Sequence, residues 1–149
     1  MLLQSVLGNL KGKTRGSILV RDWISCEAVL DDALVRQFAH TTGDVNPIHL
    51  DELEGKRSRF GQRVVHGMLS ASLIPTLFSL ALPGAVYLAQ ELKFDQPVFV
   101  GDRVRAMIEV NQIRAIQSEH QDECLLVCHT SVFKSDDTKA IIGKAKVLI

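Results

Sequence analysis

Apolar and polar residues alternate with period two through much of the second half of the chain, the pattern of strands buried on one side only. Val86, Leu88, Gln90, Leu92 and Phe94 share one face, and Tyr87, Ala89, Glu91, Lys93 and Asp95 the other. Pro97 and Gly101-Asp102 bracket a turn or bulge, after which Val104, Ala106, Ile108 and Val110 alternate with Arg103, Arg105, Met107 and Glu109. Residues 124–133 and 140–149 supply two more strands, joined by the polar turn Ser135-Asp136-Asp137, and residues 17–28 add another. Consecutive strands with short links imply an antiparallel meander. Residues 67–82 (GMLSASLIPTLFSLAL) break this rhythm. They are apolar on nearly every side, which predicts a buried helix, and Pro75 predicts a kink or an end to its first half. The meander's apolar face needs a cover. The economical arrangement is an α+β domain in which an antiparallel sheet wraps around a long central helix.

Upstream, Asp31 and Asp32 open a helix whose apolar face is Ala33, Leu34 and Phe38, with Val35 and Ala39 beside it, and Gly43 is placed to end it. Residues 44–51 contain Asn46-Pro47, and a residue before proline is pushed out of the helical region. Asp44 and His49 are therefore expected on a bent, extended stretch. Residues 51–63 are rich in charge and read as a solvated loop or short helix. At the N-terminus, Leu2, Leu3, Val6, Leu7 and Leu10 fall on one helical face, Lys11, Lys13, Arg15 and Arg21 follow, and no acid precedes Asp22. Residues 1–14 are thus either an amphipathic targeting segment or an N-terminal helix or arm of the domain.

Length and composition narrow the class. The 149 residues suit one domain spanning 1–149, with no linker, repeat or low-complexity stretch. Lys+Arg and Asp+Glu both number 17, so no whole-protein field favours nucleic acid or an anionic membrane. The longest apolar run is too short and too often interrupted by serine, threonine and proline to span a membrane. Cys26, Cys124 and Cys128 are odd in number and form no CxxC pair, which fits a reducing compartment, with Cys124 and Cys128 as small core residues.

Candidate chemistry concentrates in two places. Asp44 and His49 stand five apart across a proline-constrained bend, so a carboxylate and an imidazole can reach one pocket with room for a water between them. That suits hydration, in which one group takes a proton from water and the other passes one to carbon. The competing reading is that Asp44 caps a turn and His49 bonds to it. The second place is His66-Gly67-Met68, where the buried helix begins. A helix start offers free N–H groups and its positive dipole end, and a glycine admits close approach of a ligand. A thioester oxygen that becomes an enolate would be stabilised there, whereas plain helix-start geometry explains Gly67 without any ligand. His40, His120 and His129 read as structural or solvated. Cys128 and His129 are adjacent and point to opposite faces of a strand, so a metal site is not expected. Gly-x-Ser-x-Gly and glycine-rich phosphate motifs are missing, which removes serine-hydrolase, kinase and dinucleotide readings.

Phe38-Ala39-x-x-Thr42-Gly43-Asp44-x-Asn46-Pro47-Ile48-His49-x-Asp51 resembles the hydratase motif of the MaoC-like, (R)-specific enoyl-CoA hydratase family. Phe60-Gly61 with Val64-Val65-His66-Gly67-Met68-Leu69 resembles the start of that family's central helix. Leu88-x-Gln90-x-Leu92-x-Phe94 with Pro97-Val98-Phe99-Val100-Gly101-Asp102 resembles its strand and turn. The likeness runs from about residue 15 to the C-terminus. It implies a hot-dog fold and a homodimer with sites at or near the subunit interface. It implies that Asp44 and His49 hold the water added to, or removed from, a trans-2-enoyl / (R)-3-hydroxyacyl thioester of CoA or acyl-carrier protein in fatty-acid metabolism, with neither metal nor organic cofactor. It further implies that the N–H of Gly67 contributes to an oxyanion hole and that Asn46 shapes the loop, with His66 and Met68 lining the site. Pro75 departs from members that carry a hydroxyl residue there and resembles the mitochondrial dehydratases of the family, which points to the mitochondrial matrix, with the cytoplasm as the alternative. Arg57, Arg59 and Arg63 either meet phosphate or an acidic carrier or form a solvated basic loop. A hot-dog thioesterase and a non-catalytic acyl-thioester-binding subunit are the rival functions.

Overall fold

The computed structural model describes residues 3–117 and 122–149; His120 lies outside the described residues. Six antiparallel strands form one sheet: β1 (Ser5–Gly8), β2 (Trp23–Val29), β3 (Val86–Phe94), β4 (Arg103–Gln117), β5 (Asp122–Lys134) and β6 (Lys139–Leu148), in the order β1-β2-β4-β5-β6-β3. The helices are α1 (Asp32–Thr42), α2 (Pro47–Leu50), α3 (Glu52–Arg57), α4 (Gly67–Ala71) and α5 (Leu73–Ala81). The expected α+β plan holds, with the sheet folded around α4 and α5. Leu73, Ile74, Leu77 and Phe78 on the helix meet Ile24, Ala28, Val104, Ala106, Ile108, Leu126, Val132 and Val147 from the sheet, all essentially buried. Burying each of the leucine, isoleucine, valine and phenylalanine side chains contributes about 1.5–3 kcal/mol before entropic costs.

Pro75 leaves its mark as expected, although slightly upstream. The central helix is divided at Ser72, which keeps a helical backbone (φ −62°, ψ −18°). Proline has no N–H to give the carbonyl four residues back, and its ring crowds that turn.

Four details differ from the sequence-based expectation. First, β3 does not neighbour β4. It pairs with β6 at the far edge of the sheet. The segment between β3 and β4 is too long for a tight hairpin. It crosses to residues 63–65, where Val65 N–H donates to Val98 O (2.8 Å) and Val64 bridges Phe99. Second, β3 does not bury one clean face. A bulge between Tyr87 and Ala89 inserts an extra residue, which shifts alternation. Tyr87 turns inward against Phe78, while Val86, Leu88 and Phe94 are about half exposed. Gln90 faces inward and is satisfied there. It donates to Thr130 Oγ1 (3.1 Å) and accepts from the Tyr87 hydroxyl. Third, residues 5–8 form an edge strand on β2 rather than a helix, and Leu10 is fully buried in the core. The apolar residues that suggested a helical stripe are also spaced to pack as a strand and turn. Fourth, residues 44–51 are not extended throughout, as described below.

Cys128 is a core residue as expected, and Cys26, for which no place was predicted, is one too; burial pushes the Cys26 and Cys128 thiols up to about 11 and about 12. Cys124 is only partly buried. No helix of the described residues is long and apolar enough to cross a membrane.

Candidate active site

Three local structures converge on one point. Asp31 caps α1 by accepting from Leu34 N–H (2.9 Å), and Gly43 ends it in the left-handed region (φ 78°), its N–H returning to Ala39 O at 2.8 Å. A left-handed residue at this place costs glycine little and turns the chain sharply out of the helix. Asp44 is the first residue beyond that turn. Its Oδ1 accepts from Asn46 N–H (3.3 Å), and Asn46 Oδ1 accepts from Ile48 N–H (3.3 Å).

Asn46 therefore caps α2, and Pro47 occupies the first helical position, where a missing N–H costs nothing. The expected extended stretch covers only residues 44–46. The proline that keeps Asn46 out of the helical region also starts the next helical turn, and that turn carries His49. Asp51 then serves both ends, closing α2 and capping α3 through Leu53 and Glu54 N–H.

His49 is 9% exposed, and its Nδ1 lies 2.7 Å from Val64 O. A carbonyl only accepts, so Nδ1 carries a proton, and in the neutral ring Nε2 is the nitrogen left to accept. His66, the residue before α4, is 2% exposed. Its Nε2–H donates to Asp44 O (2.9 Å) and stands 4.0 Å from the Asp44 carboxylate. The two imidazoles are stacked, and Phe38 of α1 packs against His66 at 5.0 Å between centroids. Asp44, His49 and His66 each offer a polar atom within 4.8 Å of the others. The predicted Asp44–His49 pair is thus a cluster of three, with His66 at its centre rather than only along its wall. Half of the Asp44 side chain faces solvent.

A cleft of about 810 Å³ opens beside this cluster. His49, Gly67, Met68, Ser70, Phe94 and Ile141 are among its walls. Gly67 is the first residue of α4, where first-turn N–H groups lack partners inside the helix. A Cβ there would fall 2.7 Å from the Phe94 ring, so the close approach that this glycine permits is already taken by Phe94. Met68 is largely exposed at the mouth. Phe94 and Ser70 belong to this site although sequence reasoning assigned them no role. Their signals were an aromatic at the end of a strand and a hydroxyl inside an otherwise apolar helix. A second groove, about 700 Å³ around His129 and Lys144, lies on the sheet away from the cluster.

The basic residues divide: Arg57 and Arg59 are exposed, as the solvated-loop reading expects, whereas Arg63 is not. Arg63 is nearly buried and bridges Asp32 of α1 (2.5 Å) and Glu52 of α3 (2.8 Å). Arg57 pairs with Glu54, and Arg59 lies over the Phe60 ring at the cleft.

Residues 15–130 match the model of the MaoC like domain. The (R)-specific enoyl-CoA hydratase of Aeromonas caviae is 39% identical over 117 residues, covering 77% of this chain and 83% of the relative. The mitochondrial 3-hydroxyacyl-[acyl-carrier-protein] dehydratase of Arabidopsis thaliana is 31% identical over 116 residues, covering 77% of this chain and 68% of the relative. The solved (R)-hydratase from A. caviae, involved in PHA biosynthesis, superposes with a TM-score of 0.80 at 36% identity, covering 88% of this chain and 96% of that one.

Proposed function

The chain belongs to the MaoC-like domain family, and on that footing we propose that it is a hydro-lyase that reversibly hydrates trans-2-enoyl thioesters and dehydrates (R)-3-hydroxyacyl thioesters in fatty-acid metabolism. The observation that carries this reading is the Asp44–His49–His66 cluster, its two imidazoles buried and its carboxylate half open, beside a cleft that also contains the start of α4. Relatives named as hydratases and dehydratases of CoA and acyl-carrier-protein substrates support the substrate class.

In the hydration direction, Asp44 and the free Nε2 of His49 hold a water against C3. The oxygen–C3 bond forms, and the C2=C3 electron pair moves onto the thioester as an enolate. The N–H of Gly67 meets that oxygen at the positive end of the helix, where preorganised donors contribute most. The proton leaving the water and the proton added to C2 pass through the Asp44–His49 pair. Dehydration runs the same steps backwards. Asn46 fixes the loop between the two side chains, His66 holds the Asp44 backbone, and Met68 forms part of the mouth. Proton transfer and a backbone dipole supply this chemistry without a metal or organic cofactor.

A homodimer belongs to this reading. Asp44 is half exposed, the adjacent Val45 is open, and Met68 and Phe94 of the cleft are apolar and open as well. The edge strand β3 leaves Val86 and Leu88 uncovered as well. A second copy supplies the cover that a water-excluding site needs. Two relatives carry mitochondrial names, which supports the mitochondrial matrix over the cytoplasm for this chain; cell fractionation decides between them.

The deciding assay adds purified protein to crotonyl-CoA. Loss of enoyl absorbance with formation of the 3-hydroxyacyl product supports the hydratase. Release of free thiol without that product supports a thioesterase instead. Ligand binding with no turnover on CoA or carrier-protein substrates supports a non-catalytic binding subunit.

A further inference from the structure

The helix that begins at Gly67 turns one face toward the cleft. Gly67 and Ser70 stand on it three residues apart, and Ile74 follows four further on, so the three form one ridge. Gly67 and Ser70 line the cleft, whereas Ile74 is fully buried in the core beside Leu73 and Leu77. On the sheet side the wall at this depth is Ile141, also buried, with Val98 and Val65 completing it.

Ser70 is an unusual residue for this position. It is 1% exposed, and among the described residues its hydroxyl is one of two buried side-chain polar atoms without a hydrogen-bond partner; the other is His66 Nδ1, in the same site. A helical serine or threonine ordinarily turns back to a carbonyl of the preceding turn. Its neighbours do so: Ser72 donates to Leu69 O (2.7 Å) and Thr76 to Ser72 O (3.0 Å). Ser70 does not. Helical side chains lean toward the N-terminus, which places this one over the turn that carries Gly67.

We propose that Ser70 is the floor of the acyl pocket and that the enzyme is selective for short acyl thioesters of about four or five carbons. The inference rests on the reading in which the thioester oxygen meets Gly67 N–H. The backbone of Ser70 lies roughly 4.5 Å further along the helix axis than that of Gly67, with its side chain leaning back within that span. That distance is spanned by three or four zigzag carbon–carbon bonds of about 1.5 Å. A chain of about four or five carbons ends at the hydroxyl and leaves it room for a water partner. A longer tail presses methylene groups against the hydroxyl, strips it of any partner and runs into Ile74. Leaving one buried hydroxyl unpaired costs about a tenfold loss in kcat/KM.

The test compares kcat/KM on crotonyl-, octenoyl- and dodecenoyl-CoA for the wild type, Ser70→Ala and Ile74→Ala, with melting temperatures confirming that each variant folds. The wild type is expected to favour crotonyl-CoA over dodecenoyl-CoA by about tenfold or more. Both substitutions are expected to narrow that ratio, Ser70→Ala by removing the polar floor and Ile74→Ala by deepening the pocket. A wild type that handles all three lengths equally overturns the proposal, as does a ratio that neither variant moves. Either result leaves the hydratase reading standing. Absence of turnover on every length overturns both.

Discussion

The imidazole of His66 lies stacked on that of His49, with ring centroids 3.8 Å apart and planes inclined by 29°. His66 also bonds to the backbone of Asp44, so one side chain positions both members of the proposed water-holding pair. His66→Phe keeps an aromatic ring for the stack and loses the bond to Asp44 O. Turnover is expected to fall about 10- to 100-fold, since small misplacements of a catalytic group have effects of that size. Steady-state kinetics with a circular dichroism control checks this, and unchanged kcat would remove His66 from the site.

Asp44→Asn removes the carboxylate but preserves the shape of the turn, and His49→Ala removes the imidazole. Each is expected to lower kcat by about 10²- to 10⁴-fold, the range for loss of a general acid or base. Near-normal turnover in either variant would show that the water is held elsewhere.

Gly67 admits no side chain without displacing Phe94. Gly67→Ala forces the half-exposed ring aside, and activity is expected to drop because the wall beside the Gly67 N–H moves. The double variant Gly67→Ala/Phe94→Leu is expected to recover part of that loss. If the double variant is no better than the single one, the contact with Phe94 is not what limits Gly67→Ala.

Far from the cleft, Asp22 fastens the N-terminal segment. It is 3% exposed and accepts from Lys13 Nζ (2.6 Å) and Leu19 N–H (2.7 Å). Burial raises its pKa, but the Lys13 hydrogen bond, the Leu19 N–H and the Lys13 charge outweigh that and hold the carboxyl below its ordinary 3.8. A carboxylate with a depressed folded pKa contributes stability above the unfolded value, and that stability is lost as pH falls through the folded one. The wild-type melting temperature should therefore drop below about pH 4, and Asp22→Asn should be less stable at neutral pH with a shallower acid slope. Parallel slopes from thermal melts across pH 2.5–7 would show that this pair does not contribute.

Much of the fold was legible because burial leaves a period in the sequence. Val104, Ala106, Ile108 and Val110 alternate as expected and are all buried. Asp31 and Gly43 bound α1 at the predicted positions because cap chemistry is local. The position of β3 beside β6 was not legible, since alternation states which face is buried and not which strand lies next door. Leu7 and Leu10 show the same limit. Five apolar residues in a short segment fit a helical stripe and a strand followed by a turn equally well, and pairing with β2 decided between them. In the site, Asp44 and His49 were readable as a pair. The stack of His66 on His49 and the ring of Phe94 against Gly67 were not, because both depend on segments that meet only in the folded chain.

Arg63 reaches Asp32 at the start of α1 and Glu52 at the start of α3, and the segment from Asp44 to His49 lies between those two helices. The two helices that bracket the loop bearing the reactive groups are thus tied to each other before any ligand arrives. Binding then has little loop ordering to oppose it. The calorimetric signature to expect is a heat-capacity decrease set by the apolar surface of the acyl chain, with only a small unfavourable conformational entropy.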